Sequence, residues 1–361
     1  MKINDKDFEI TDTIEVTPED REDIGNNRFK LESAKRNLKT RLLSTIVLLV
    51  LLLGFVGSGA IYTSLIKYDI KNAAIASYFS IILTVGLTIL CLYEMNKTLG
   101  FKIWYYQVVI IVFSLIILLF PMNNALYNFS FYQELNLTTW LSAWQLPTII
   151  SIYLITIMVI GFADKRIDSK NALINFVMTI IITLALKAFS IASLSLDGTE
   201  ARFSFNTIVW IWLMIILSDS FQYLGGMRFG KTKLSPNISP KKTWEGALIG
   251  LGSATGVGIL FAMLFEFVPV FAGFQPFRQP MQELYAKSVS LEVIVYILLA
   301  LVFPIIGLFG DLLFSWVKRK VNIKDYSNLI PGHGGALDRL DSILFSLFIL
   351  FIFISCYSLT L

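Results

Sequence analysis

Apolar residues in this 361-residue chain neither alternate with polar ones nor recur on one helical face; they run together. Stretches near 42–62, 73–93, 103–120, 146–163, 172–192, 206–217, 246–267, 291–313 and 342–360 are almost wholly apolar. Runs of about 20 such residues match the hydrocarbon thickness of a bilayer, where only a helix or a closed barrel satisfies its own backbone. The pattern predicts an all-α fold, a polytopic transmembrane helical bundle of about nine spans. The sixth run is short and stops before Asp219. Between the third and fourth runs, Trp140 and Trp144 leave room for a short interfacial helix within 121–145. No internal repeat stands out.

Composition agrees with this picture. Hydrophobic residues make up 55% of the chain and charged residues 16%, against roughly 25% charged in soluble domains. A net charge of +4 gives no reason to expect a nucleic-acid partner. The two cysteines, Cys91 and Cys356, lie inside apolar runs and carry no disulfide or metal signal. Residues 1–23 hold nine acids against three bases, which predicts a disordered tail. Residues 28–41 then carry six bases against Glu32 alone, a juxtamembrane pattern that favours the cytoplasmic side and anionic lipid headgroups. No apolar run precedes residue 42, so no cleaved signal peptide is expected.

Charge in the loops sets the expected orientation. With the N-terminus inside, the inner loops carry fifteen Lys and Arg and the outer loops five. The division that follows is a cytoplasmic tail over 1–41, transmembrane helices over 42–204, and a C-terminal transmembrane region over 205–361 with polar cytosolic loops.

Two segments break the apolar background. The first, 218–246, contains Asp219 and closes on Ser239-Pro240-Lys241-Lys242-Thr243-Trp244-Glu245-Gly246. Ammonium groups and hydroxyls just before a helix start suit phosphate oxygens, although a positive-inside loop with an ordinary cap accounts for them equally well. The second, 310–341, is harder to explain as packing. Asp311 sits at the end of an apolar run, where a carboxylate is costly and usually paired or functional. Ser315, Lys318, Arg319, Lys324 and Asp325 follow, then Pro331-Gly332-His333-Gly334-Gly335, then Asp338, Arg339 and Asp341. Asp338 and Asp341, three apart, would share a helix face. Carboxylates alternating with fixed cations suit a Mg²⁺–polyphosphate complex. Glycines beside His333 allow close backbone approach to a phosphate. Lys320 and Asp325, taken singly, read as salt-bridge residues. With His333 the only histidine, a multi-histidine metal site is excluded, and no Walker-type phosphate loop appears.

The run Ser315, Val317, Lys318, Arg319, Lys324, Asp325, Ser327, Ile330, Pro331, His333, Gly334, Gly335, Asp338, Arg339, Leu340, Asp341 resembles the signature of phosphatidate cytidylyltransferases, the CDP-diacylglycerol synthases. Every spacing fits, and Ser239–Gly246 resembles the family's Ser-Pro-Lys-Lys-Thr-x-Glu-Gly element. Departures are Ala336, where a larger apolar residue is usual, Gln222 for a small residue, and Met227 for an Arg, with Arg228 one place later. The resemblance covers about 205–361; before that only the presence of spans matches. It implies cytidylyl transfer from CTP to phosphatidic acid, giving CDP-diacylglycerol and pyrophosphate, in a bacterial cytoplasmic membrane with the site facing the cytosol. It further implies Asp311 and Asp338 as metal-associated carboxylates, with Asp341 in support. Lys318, Arg319 and Arg339 would be catalytic cations. Ser239, Lys241, Lys242, Thr243, Asp219, Ser315, Lys324, His333, Gly334 and Gly335 would be substrate-binding. Mg²⁺, a monovalent cation such as K⁺ and a homodimer complete the expectation. Two other readings stay open: a CTP-dependent kinase of a lipid alcohol, and a transporter.

Overall fold

The computed structural model describes residues 53–65, 70–121, 145–198, 200–271, 273–327 and 334–358, with residues 50, 68, 329 and 330 besides. The acidic and basic segments of residues 1–41, the interfacial helix expected within 121–145 and the Pro331–His333 turn lie outside the described residues. In chain order the helices are α1 (Leu53–Leu65), α2 (Ile70–Thr98), α3 (Trp104–Leu119), α4 (Gln145–Ala163), α5 (Ser169–Leu194), α6 (Asn206–Phe229), α7 (Trp244–Phe267), α8 (Arg278–Lys287), α9 (Val289–Lys320) and α10 (Leu337–Ser358). Two hairpins interrupt them: β1 (Leu196–Asp197) with β2 (Glu200–Ala201), and β3 (Lys233–Ser235) with β4 (Ser239–Thr243).

Every apolar run, where its residues are described, forms a helix. Among the described residues, seven helices are long and apolar enough to cross a membrane: α2, α4, α5, α6, α7, α9 and α10. Helices α1 and α3 are shorter. The protein is an all-α, polytopic integral membrane protein. Helix α5 is its centre, buried against α2, α3, α4 and α10. By contrast α4 and α7 display Ile155, Val159, Phe162, Leu248 and Leu260 on the outside, as surfaces that meet lipid should.

Without a hydrophobic drive between helices in lipid, association rests on close packing and internal polar contacts. Helices α6 and α7 come together on glycine: a Cβ at Gly250 would fall 2.5 Å from the Ser218 carbonyl oxygen. Trp210 crosses the same seam and donates its indole N–H to the Gly258 carbonyl at 2.7 Å. Buried Asn175 donates to Asn96 (2.7 Å), and Ser114 and Thr183 share a hydrogen bond at 2.6 Å.

Two local problems are solved by side chains from neighbouring helices. Pro304 inside α9 has no N–H for the Ala300 carbonyl, and Thr255 of α7 donates its hydroxyl there at 3.2 Å. Helix α3 has 16 residues, about 24 Å at 1.5 Å per residue. Its end leaves carbonyls that lipid cannot satisfy. Fully buried Lys187 of α5 reaches them, donating to the Ile117 and Phe120 carbonyls at 2.9 and 2.6 Å.

Helix boundaries in the two polar segments differ from those the apolar runs predict. Helix α6 does not stop at residue 217 but continues through Asp219 to Phe229. Helix α9 extends to Lys320 and α10 starts at Leu337 rather than 342. The polar residues of both segments therefore stand largely on helix ends. A helix can carry charge for several turns beyond its apolar stretch when neighbouring helices supply partners.

Candidate active site

The ends of α6, α7, α9 and α10 meet, and their charges meet with them. Thr243 ends β4 and caps α7, its hydroxyl accepting the Gly246 N–H at 3.2 Å. The turn before β3 is held by Glu245, whose carboxylate accepts the Lys231 and Thr232 N–H groups at 3.0 and 3.1 Å. This hairpin delivers Lys242 to the bundle. Its ammonium forms an ion pair with Asp311 of α9 and lies 4.0 Å from Asp219 of α6. Ser315, one turn after Asp311, donates to it at 3.4 Å.

A second pair stands alongside. Lys318 is 2.9 Å from Asp338 and 3.9 Å from Asp341, so both carboxylates do share one face of α10. Lys318 is buried, and its ammonium sits 5.3 Å from the centre of the Tyr326 ring, in cation–π range. Ser342 links the two pairs, its hydroxyl 3.1 Å from Asp219 and 3.4 Å from Asp341. Asp219, Asp311 and Asp341 are near enough to repel one another. Lys242 and Lys318 offset that repulsion.

Asp338 has a further role. Its second oxygen accepts the Tyr326 and Gly335 N–H groups at 2.8 and 3.0 Å. It thereby binds the α9–α10 loop to the first turn of α10. Gly334 adopts φ +87°, with Ile330 and Gly334 exchanging backbone hydrogen bonds across the turn. Burial first, then the charges of Asp341, Asp338 and Glu94, pushes the Tyr326 hydroxyl well above its ordinary value. It stays protonated and donates to the Phe314 carbonyl at 3.0 Å.

Other expected site residues stand further out. Arg319 donates to the Ile238 and Ile323 carbonyls at 3.2 and 3.0 Å, bracing the β3–β4 hairpin against α9. Lys241, Lys324 and Arg339 are exposed, and Ser239 is half-buried in β4 opposite Ser235. Gly335 is buried beside Asp338. His333 lies outside the described residues.

Oxygen donors from Asp311 and Asp338, with Asp219, Asp341, Ser315 and Ser342 beside them, suit a hard cation such as Mg²⁺. Among the described residues no three His, Cys, Asp or Glu side chains are gathered as a metal cage. Mg²⁺ commonly takes only one or two protein carboxylates, with water and substrate phosphate completing its shell.

The sequence reading missed Glu94 near the end of α2. It is 2% exposed, and its carboxylate accepts the Ser327 hydroxyl and the Ala336 and Leu337 N–H groups at 2.6, 3.0 and 2.9 Å. The signal was available: a carboxylate at the end of an apolar run is costly for the same reason as Asp311. Ser342 and Tyr326 carried no such mark.

Comparison with known proteins adds to this geometry. The model of the Cytidylyltransferase family matches residues 39–357, so the match reaches well into the half where sequence alone showed only spans. A phosphatidate cytidylyltransferase of Brucella abortus biovar 1 (strain 9-941) is 35% identical over 170 residues, 46% of this chain and 53% of the relative. Proteins of the same name from Rickettsia bellii (strain RML369-C) and Rickettsia felis (strain ATCC VR-1525 / URRWXCal2) are 33% and 35% identical over 202 and 201 residues. Those matches cover 55% of this chain and 78% and 79% of the relatives. The chain spans about half the length of the Brucella relative it matches.

Proposed function

The chain belongs to the cytidylyltransferase family, and we propose that it transfers the cytidylyl group of CTP to phosphatidic acid. An oxygen of the lipid phosphate attacks the α-phosphorus of CTP. The bond from that phosphorus to the bridging oxygen breaks, and pyrophosphate leaves with the electron pair. The product is CDP-diacylglycerol. The observation that carries this reading is the paired arrangement of Lys242 with Asp311 and Lys318 with Asp338 and Asp341, at one end of the bundle. It gathers fixed cations and carboxylates where α6, α7, α9 and α10 meet. The relatives' names supply the substrate pair.

Asp311 and Asp338 would hold Mg²⁺, which when bound supplies neutralising charge to the triphosphate. Lys242 and Lys318 pair with these carboxylates and hold them aligned. As ammonium donors they are also placed to pair with phosphate oxygens as charge moves onto the leaving group. Asp341 and Asp219 complete the acidic wall, oriented through Ser342. Arg319 fixes the hairpin that carries Lys242. Arg339, Lys324 and Lys241, exposed at the same end, suit the approach of anionic substrates. His333 and Gly334 would contact phosphate, and K⁺ would be a second cation. The excess of Lys and Arg in alternate loops supports a site facing the cytosol of a bacterial cytoplasmic membrane, where soluble CTP meets a leaflet-bound lipid. The family resemblance supports a homodimer.

Purified protein in detergent, given phosphatidic acid, Mg²⁺ and CTP labelled at the α- or the γ-phosphorus, decides the reaction. α-Label should enter the lipid and γ-label should leave as pyrophosphate; γ-label in the lipid would establish a kinase instead. Chelation with EDTA should abolish turnover and Mg²⁺ should restore it.

A further inference from the structure

We propose that Glu94 is a positioning residue for this site, the link through which the N-terminal helices set the rotation of α10 and hence the placement of Asp338 and Asp341. The inference rests on the proposed function for its catalytic consequence, but not for its structural one.

The N–H groups that open a helix have no partner within it, and they carry the positive end of its dipole. For α10, two of these donors, on Ala336 and Leu337, are taken by Glu94, which lies more than 240 residues earlier in the chain. The same carboxylate accepts the Ser327 hydroxyl, so it grips both sides of the α9–α10 turn. A buried carboxylate with three donors is satisfied and hard to displace. Lost, it would leave those donors buried without a partner.

The approach is close because residue 335 is glycine. A Cβ there would fall 2.7 Å from one Glu94 oxygen and 2.9 Å from the other. The Asp338 carboxylate takes the next donors along, on Gly335 and Tyr326. Two acids thus divide the donors of the turn, and Asp338 follows Leu337 directly. A shift of the Glu94 anchor therefore moves a side chain already paired with Lys318. Misplacement of a reacting group by about 1 Å can cost roughly 10²-fold in rate.

The test uses the full-length protein with Glu94→Gln and Glu94→Ala, and Gly335→Ala as an independent disturbance of the same contact. Hydrogen exchange over residues 326–341 should quicken about tenfold or more in Glu94→Ala as buried donors lose their partner, while peptides from α5 stay near wild type. Turnover of CTP with phosphatidic acid should fall about 10–100-fold in kcat with little change in KM. Glu94→Gln, which keeps one acceptor oxygen, should lie between. Glu94→Asp, whose shorter side chain retreats from the new methyl, should partly restore Gly335→Ala. Unchanged exchange over 326–341 would overturn the proposal, as would equal quickening in α5. A loss expressed in KM alone would also overturn it, making Glu94 a binding group instead. If wild type shows no such turnover the proposed reaction fails, and the exchange measurement still decides whether Glu94 anchors the turn.

Discussion

Among the site residues, Asp311 and Asp338 make different demands on their surroundings. Asp311 faces Lys242 and Ser315, whereas Asp338 is held by Lys318 and two backbone N–H groups. Asp311→Asn keeps shape and removes charge, so it should lower Mg²⁺-dependent CTP turnover by about 10²–10³-fold with folding intact. Asp338→Asn should lose at least as much, and should also loosen the loop because an amide accepts those bonds less strongly. Turnover in membrane-inserted protein checks both; retained activity removes that residue from the proposed metal site. Lys242→Met should leave Asp219 and Asp311 facing each other, and Asp341 nearby, without the cation that pairs with them. A loss of tenfold or more is expected on charge-stabilisation grounds, together with a raised Mg²⁺ requirement.

At the level of elements, short helices and close seams carry the risk. Lys187→Met fills the same space but strips the end of α3 of two donors. Leaving buried carbonyls unmet costs about 1–3 kcal/mol, so the unfolding midpoint in detergent should drop while the folded fraction keeps its turnover, since Lys187 is no part of the site. Gly250→Val acts on the seam that delivers Lys242. Two methyl groups cannot enter a space where even a Cβ lies 2.5 Å from a carbonyl oxygen, so α6 and α7 must separate. Overpacking of this kind costs roughly 1–3 kcal/mol, and here activity should fall with stability.

For the whole molecule, the expected orientation can be read by labelling. In a Cys356→Ser background, Cys91 being buried, Lys241→Cys should react with a membrane-impermeant maleimide only in inside-out vesicles. Lys287→Cys should react only in right-side-out ones. The opposite result would put the site on the outer face and exclude cytosolic CTP as its substrate. Across residue 204 the bundle is continuous: α10 packs on α5, and one buried core includes residues from both sides.

Much of this was legible along the chain. Apolar length and the cost of bare backbone in lipid dictated helices, and each run forms one where it is described. The Ser315–Asp341 spacing marked residues that the fold gathers at the candidate site, because motif residues close in sequence share one helix end and its loop. Three things needed the fold. Helix boundaries shifted because charged turns of α6, α9 and α10 find partners across the bundle. Lys242 met Asp311, and Lys318 met Asp338 and Asp341, with Arg319 left outside as a brace, because side-chain partners depend on how helices pack rather than on spacing. Glu94 joined the site from far up the chain. Hydropathy and spacing describe neighbours along the sequence, and a contact spanning more than 240 residues exists only once α2 and α10 lie side by side.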